Sequence, residues 1–418
     1  MSSSDDISQQ LLENALVMIF EKGLSDVSMR AVADTADCST TAIVQRFGNK
    51  AGLLKSVAAF ALEKDRVYHD ALLRQLEDGP LSFPYFSDVL VTYIEQRSKN
   101  VVARVWSEIL FSENVELASS DVVRAWYQSR LQFWQAIFQR AGLESTHSAS
   151  VVTTYVIMEE VYAFELSGDF EYRLLLKETC RALLAGLLQV DDSAKQGHAS
   201  VWATKGFTSY KDFPERSAIT LSISENESAK KLLDTAAVEI FNHGIGSLNK
   251  RRVSKLAGMS SSMISYHFGN QADFINFAVW EAFWRDPPLE FKTPYDARNR
   301  QKDVAEWVGF IQRMTSSGAN GRSVGFYARF SRLTAQAGLL SDRRPPLRAL
   351  FRQVRRIDGW GTYEAGRTFW PSLMKVERGS ASAFGIWVKG AAAINFVLNS
   401  DDDVCGEELS FIAKNLFH

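Results

Sequence analysis

The stretch ADCSTTAIVQRFGN, from Ala36 to Asn49, returns near the middle of the chain as AGMSSSMISYHFGN, from Ala257 to Asn270. The offset is 221 residues, and it holds without a gap from Leu11 to Ala51 against Leu232 to Ala272. Sixteen of these 41 paired positions are identical, where chance gives roughly two or three. Repeats that stack into solenoids recur about every 20–50 residues. A period this long predicts two duplicated domains instead.

A length of 418 residues suits several domains, and 46% hydrophobic with 23% charged residues is ordinary for a globular chain. No apolar run approaches the roughly 18 residues of a membrane helix. The start, MSSSDDISQQ, is polar and acidic, unlike a secretory signal. Cys38, Cys180 and Cys405 are three, odd in number and far apart. They argue against a disulfide framework and predict a reducing, cytoplasmic setting.

Periodicity predicts an all-α chain. Leu11, Leu12, Ala15, Ile19 and Phe20 share one face of a first helix, and Gly23 stops it. Further apolar stripes run through 133–142, 151–166, 171–190, 323–338, 346–360, 381–398 and 407–417. Residues 191–228 are polar and lack sustained period. They read as a linker, with a short hairpin around Trp202 to Phe213.

Each repeated segment reads as two short helices joined by a tight turn and braced by the helix before them. In the first copy these are Ser28 to Ala36, a turn at Asp37 and Cys38, then Ser39 to Phe47. In the second they are Asn249 to Ala257, a turn at Gly258 and Met259, then a helix capped by Ser260 and running to Phe268. Gly48 and Asn49, or Gly269 and Asn270, end that helix and cap the next. This is a helix-turn-helix, whose second helix enters the DNA major groove. Ile43 with Phe47, and Ile264 with Phe268, sit four apart and face inward. Thr40, Thr41, Val44, Gln45 and Arg46 then face out, as do Ser261, Ser262, Ser265, Tyr266 and His267. Hydroxyls, an amide, a guanidinium and an imidazole suit base edges and phosphates. Arg46 is the candidate for guanine and Gln45 for adenine.

With VADTADCSTTAIVQRFGNKAGLL (32–54) and VSKLAGMSSSMISYHFGNQADFI (253–275), the chain resembles the tetracycline-repressor (TetR) family. The resemblance is specific in these two windows and architectural elsewhere. It implies two units in tandem: helix-turn-helix domains at 7–54 and 229–275, helical regulatory domains at 55–190 and 276–418, and the linker between. Family chains usually hold one unit and dimerise, so here one chain would form an intramolecular pseudo-dimer. The implied partners are a double-stranded DNA operator and a small effector, with no membrane and no cofactor. The candidate DNA-binding residues are Arg30, Ser39, Thr40, Thr41, Gln45, Arg46 and Lys50, with Lys250, Arg251, Ser260, Ser261, Ser262, Ser265, Tyr266 and His267.

Two departures stand out. The family's phosphate-contacting tyrosine is Val44 in one copy and Ser265 in the other, and the family lysine kept as Lys50 becomes Gln271. Charge diverges too. Residues 7–50 hold four basic against five acidic residues, a net of −1, whereas 229–272 hold six against two, a net of +4. Phosphate affinity follows such charges, and Arg251 and Arg252 lie in the basic run.

Aromatic residues crowd both helical regions. Most such side chains are core, yet ligand pockets in bundles are lined by them as well. The effector implied by the resemblance is apolar or aromatic, with Trp106, Trp126, Tyr127, Phe133, Tyr155, Tyr327 and Trp360 as its candidate contacts. The six histidines lack metal-ligand spacing, and no phosphate loop or nucleophile motif occurs. An enzyme is therefore not expected. A helical ligand-binding or protein-interaction module, with one or both helix-turn-helices no longer binding DNA, remains the alternative.

Overall fold

The computed structural model describes residues 3–76, 81–143, 146–190, 226–285, 303–318, 323–359, 363, 370–398 and 404–417. Almost all of the expected linker, including its hairpin, lies outside the described residues, as does Trp360. Every regular element among the described residues is a helix.

The first half holds α1 (Ser3–Lys22), a 3-10 turn (Leu24–Asp26), α2 (Met29–Thr35), α3 (Thr40–Phe47) and the long α4 (Lys50–Gln75). Then follow α5 (Phe83–Arg97), α6 (Val101–Leu110), α7 (Val115–Ala118), α8 (Asp121–Arg140), α9 (Thr146–Leu166) and α10 (Phe170–Leu187). The second half repeats the opening with α11 (Glu227–His243), a 3-10 turn (Ile245–Ser247), α12 (Lys250–Leu256), α13 (Ser262–Phe268) and α14 (Gln271–Arg285). It continues with α15 (Val304–Thr315), α16 (Phe326–Ser341), α17 (Pro345–Ile357), α18 (Arg378–Leu398) and α19 (Val404–Leu416). Helix α4 runs straight through the boundary expected at 54/55, so head and regulatory region share a rod.

The backbone singularities of the first opening recur 221 residues on. Gly23 and Gly244 take φ 88 ψ 163 and φ 90 ψ 167. Gly48 and Gly269 take φ 74 and 75, and Asp37 and Gly258 take φ 49 and 69. Side chains other than glycine rarely adopt such angles. These are the turns that separate α1, α2 and α3, and their counterparts. Ser28 and Asn249 cap the second helix of each set, accepting from Ala31 N and Arg251 N.

The two halves meet along α9, α10, α18 and α19, with α9 packed along α18 and α10 against both α18 and α19. Glycine makes the closest approach possible. A Cβ on Gly390 would stand 2.1 Å from the Thr154 carbonyl oxygen. On these four helices Tyr155, Val151, Leu183, Phe384, Trp387 and Ile412 are essentially dry.

Charges are buried in the same seam. Arg355 donates from Nε to Glu159 Oε1 and from Nη2 to Glu159 Oε2, both at 3.1 Å, with less than 2% of either side chain exposed. Asp358 takes Lys389 and the Tyr162 hydroxyl. Outside these, Arg348, Arg352 and Arg356 pair with Glu165, Asp169 and Glu171. Four arginines of α17 thus face four acids of the α9–α10 corner. Removing one partner of a buried pair strands the other charge, at about 3–5 kcal/mol.

Candidate nucleic-acid interface

Helix α3 forms because Ser39 is extended and its hydroxyl accepts from Ala42 N. Ile43 anchors it in the core, and Phe47 is half-buried beside it. Asn49 then starts α4 by accepting from Gly52 N at 2.9 Å. Ser39, Thr40, Thr41, Gln45 and Lys50 are exposed in a row, and Arg30 is exposed on α2. Val44 is exposed at the position of the missing tyrosine.

Arg46 departs from expectation. It is half-buried, its Nη1 donates to the Ala42 carbonyl at 3.1 Å, and its buried Nε has no partner. The guanidinium lies along its own helix. To reach a base it must give up that bond.

In the second head, Ile264 and Phe268 anchor α13, and Tyr266 is 79% exposed at its outer face. Ser261, Ser262 and Ser265 are exposed, as is Arg251 on α12. Lys250 is half-buried, with Nζ 3.5 Å from Ser265 Oγ. Arg252 pairs with Glu239 of α11, which ties it to the protein. Two expectations fail here. Ser260 does not cap α13; its hydroxyl meets Ser262 Oγ at 2.7 Å instead. The helix starts one residue later than its counterpart, behind a Ser261 that is already helical and gives no side-chain cap. His267 does not face out. It is half-buried, edge-on to Tyr266 and Phe268, with Nε2 buried and unpartnered. Arg46 and His267, at matched positions, each sit in the last turn of their helix, next to the phenylalanine that follows.

Each head is gripped by the opposite half of the chain. Arg343, just past α16, donates to the Lys22 carbonyl at the end of α1 and, at 3.0 Å, to Glu108 of α6. Glu108 in turn accepts from Leu24 N at 3.2 Å. Glu113, just past α6, accepts from Gly246 N of the second head. Gln336 of α16 accepts from Ile245 N and donates to the Phe111 carbonyl, at 2.8 and 3.0 Å. A cavity of about 300 Å³ lies at this junction, walled by Leu24, Leu54, Phe111, Ile245, Leu339 and Leu340. Sequence reading missed all four polar clamps, since none stands in a motif or a periodic stripe.

The candidate ligand residues sit in the dry interior. Trp106, Trp126 and Tyr155 are fully buried; Tyr127, Phe133 and Tyr327 are at most 5% exposed. Trp106, Trp126 and Phe133 surround a closed ionic ring that no sequence pattern announced. Arg97 of α5 donates to Asp65 of α4 and, at 3.0 Å, to Glu160 of α9. Arg130 of α8 donates to the same two acids, at 3.3 and 2.9 Å. Trp126 adds an indole bond to Asp65 at 2.6 Å. Burial alone would raise the Asp65 carboxyl; Arg97 and Arg130 beside it hold it well below the usual range. Burial pushes the neighbouring His69 down to about 3, so it is neutral.

The family model of bacterial regulatory proteins, tetR family, matches residues 11–57. The match covers α1 to the start of α4, the first head. No curated protein matches the chain. The first head is thus a TetR-type DNA-binding domain, which marks the chain as a transcriptional regulator. No described helix is long and apolar enough to cross a membrane.

Proposed function

We propose that the chain is a transcriptional regulator that reads one operator through two non-identical heads, with α9, α10, α18 and α19 standing in for a subunit interface. A small apolar or aromatic effector releases it, which makes it a repressor. The observation that carries this reading is the return of the head's backbone angles at the 221-residue offset, in helices of the same order. A homodimer presents identical recognition helices and favours a two-fold operator. Two heads in one chain escape that constraint. Thr40, Thr41 and Gln45 would read one half-site, and Ser261, Ser262 and Tyr266 the other. The half-sites should lie about one helical turn apart, roughly 34–36 Å.

The test is a footprint on the upstream region of its own gene, followed by base-by-base substitution. An asymmetric protected site supports the reading. A perfect palindrome protected by two chains, each using one head, refutes it. A second reading has its own support: both copies lack the phosphate-contacting tyrosine, and Arg46 is folded back. If neither head shifts any fragment, the chain is instead a helical binding module.

A further inference from the structure

The cavity of about 300 Å³ has both heads in its wall. Leu24 comes from the 3-10 turn of the first head, and Ile245 from the matching turn of the second, 221 residues on. With Leu54, Phe111 and Leu339 they make a buried apolar lining. Small-molecule sites occupy about 300–1,000 Å³ and are mostly apolar, with a few placed polar groups. Four charged side chains also line this cavity: Lys50, Glu108, Glu113 and Arg343. Glu108 is answered twice, by Arg104 at 3.4 Å and by Arg343 at 3.0 Å. Arg343 is committed to Glu108, to Asp342 and to the Lys22 and Leu339 carbonyls. Lys50 is exposed to water. Glu113 is placed differently. Its Oε1 accepts from Gly246 N at 2.5 Å, but it forms no ion pair among the described residues. Arg332 acts on it only from beyond ion-pair reach, with its guanidinium 4.7 Å from the Phe396 ring centre. Part of the Glu113 side chain meets solvent, yet burial still lifts its carboxyl above the usual range.

We propose that this cavity is a small-molecule site between the heads, and that it takes an organic cation, a protonated amine carried on a flat apolar body. The body meets Leu54, Phe111 and Leu339, and the ammonium donates to the Glu113 carboxylate. A neutral molecule would leave that carboxylate without a counter-charge. An anion would find only Lys50 uncommitted and would face two carboxylates. The occupant stands between the grips on both heads, since Glu113 also holds Gly246 N and Glu108 holds Leu24 N. An amine that shares Glu113 with Gly246 therefore acts on the seating of the second head. The site is separate from the dry interior around Trp126. It does not depend on the reading of the chain as a regulator; only its effect on DNA does.

Calorimetry on the full chain tests this with three probes of one skeleton: tryptamine, its neutral alcohol tryptophol, and indolepropionate. Tryptamine should bind at one site per chain, at least about threefold tighter than tryptophol, with indolepropionate weakest. This series needs no variant. Glu113→Gln keeps an acceptor for Gly246 N and removes the charge, so it should bring tryptamine down to the affinity of tryptophol. Leu340→Trp, which adds bulk at the cavity wall, should block all three probes. If it lowers the unfolding midpoint, Ser112→Trp takes its place. No tryptamine binding overturns the proposal, as does a smaller preference over tryptophol, tighter binding of indolepropionate, or binding that either variant leaves intact. A gel shift on the same samples is read separately. DNA binding that ignores saturating tryptamine removes the coupling to the heads, and absence of any DNA binding counts against the regulator; the probe series alone decides the site.

Discussion

The two heads share a backbone and an apolar core, and differ in the charges and grips laid upon them. At Gly23 a Cβ would meet the Arg343 guanidinium at 2.2 Å; at Gly244 it would meet the Glu113 carboxylate at 2.8 Å. The same turn is thus held by a cation in one head and by an anion in the other. The first head is packed into the main core, which continues through α9 and α18. The second closes a smaller core of its own with α16 and α17. Their net charges are −1 over residues 7–50 and +4 over residues 229–272. What the two heads keep in common is what the turn geometry demands; the charges and grips laid upon it differ.

The seam of α9, α10, α18 and α19 fixes how the two heads are held relative to each other, so the largest expected effect lies there. Arg355→Ala strands Glu159 in a dry site and should cost about 3–5 kcal/mol in chemical denaturation. A loss under about 1 kcal/mol would show that the pair is screened and the seam held by apolar contact alone. Glu408 tests the same seam through pH. Its carboxyl accepts from Ser150 and is pushed by burial from 4.5 up to about 7. The folded state then holds a proton that the unfolded state has released. Stability should therefore fall as pH rises from 4.5 to about 7. Glu408→Gln should flatten that part of the profile; an unchanged slope would contradict the assignment.

The turn glycines come next. Gly23→Ala and Gly244→Ala force a residue with a Cβ into angles that glycine alone tolerates, at about 1–3 kcal/mol each. Thermal unfolding of both variants compares the grips. The smaller loss should appear where the neighbour moves aside more easily, and no loss in either would undo the argument from shared turns. Specificity follows. Gln45→Ala and Tyr266→Ala should each weaken binding by about 1–3 kcal/mol. Each should relax base preference in its own half-site, and substitution scanning would show it. Effects in both half-sites from one variant would erase the distinction between heads. The smallest effect is on salt. Arg251→Ala should lower the slope of log affinity against log salt by about one. Arg46→Ala should leave the slope alone if the guanidinium stays on the Ala42 carbonyl.

The heads were legible because their determinants are local. Ser39, Asn49 and the glycines at 23, 48, 244 and 269 act on residues within a turn of themselves, and Ile43 and Ile264 announce the buried face. Arg46 and His267 were misread because helical spacing gives a direction and not a rotamer: both bend back onto the head. The capping hydroxyl of Ser260 was misread because Ser262 offered it another partner. The ionic ring was invisible for another reason. Asp65, Arg97, Arg130 and Glu160 come from four helices, and charged residues are seldom buried, so each reads alone as an ordinary solvated side chain. The grips by Glu113 and Arg343 depend on how the halves are placed, which no local pattern encodes.

The length of α4 has a mechanical meaning. Lys50 begins it beside the recognition helix, and Asp65 sits on it inside the ionic ring. Fifteen residues of helix make an arm of about 22 Å at 1.5 Å per residue. A tilt of only about 5° pivoting at Asp65 swings the Lys50 end by roughly 2 Å. A hydrogen bond tolerates much less than that. A change too small to disturb the packing around Trp126 thus becomes, at the far end of the arm, a misfit against DNA.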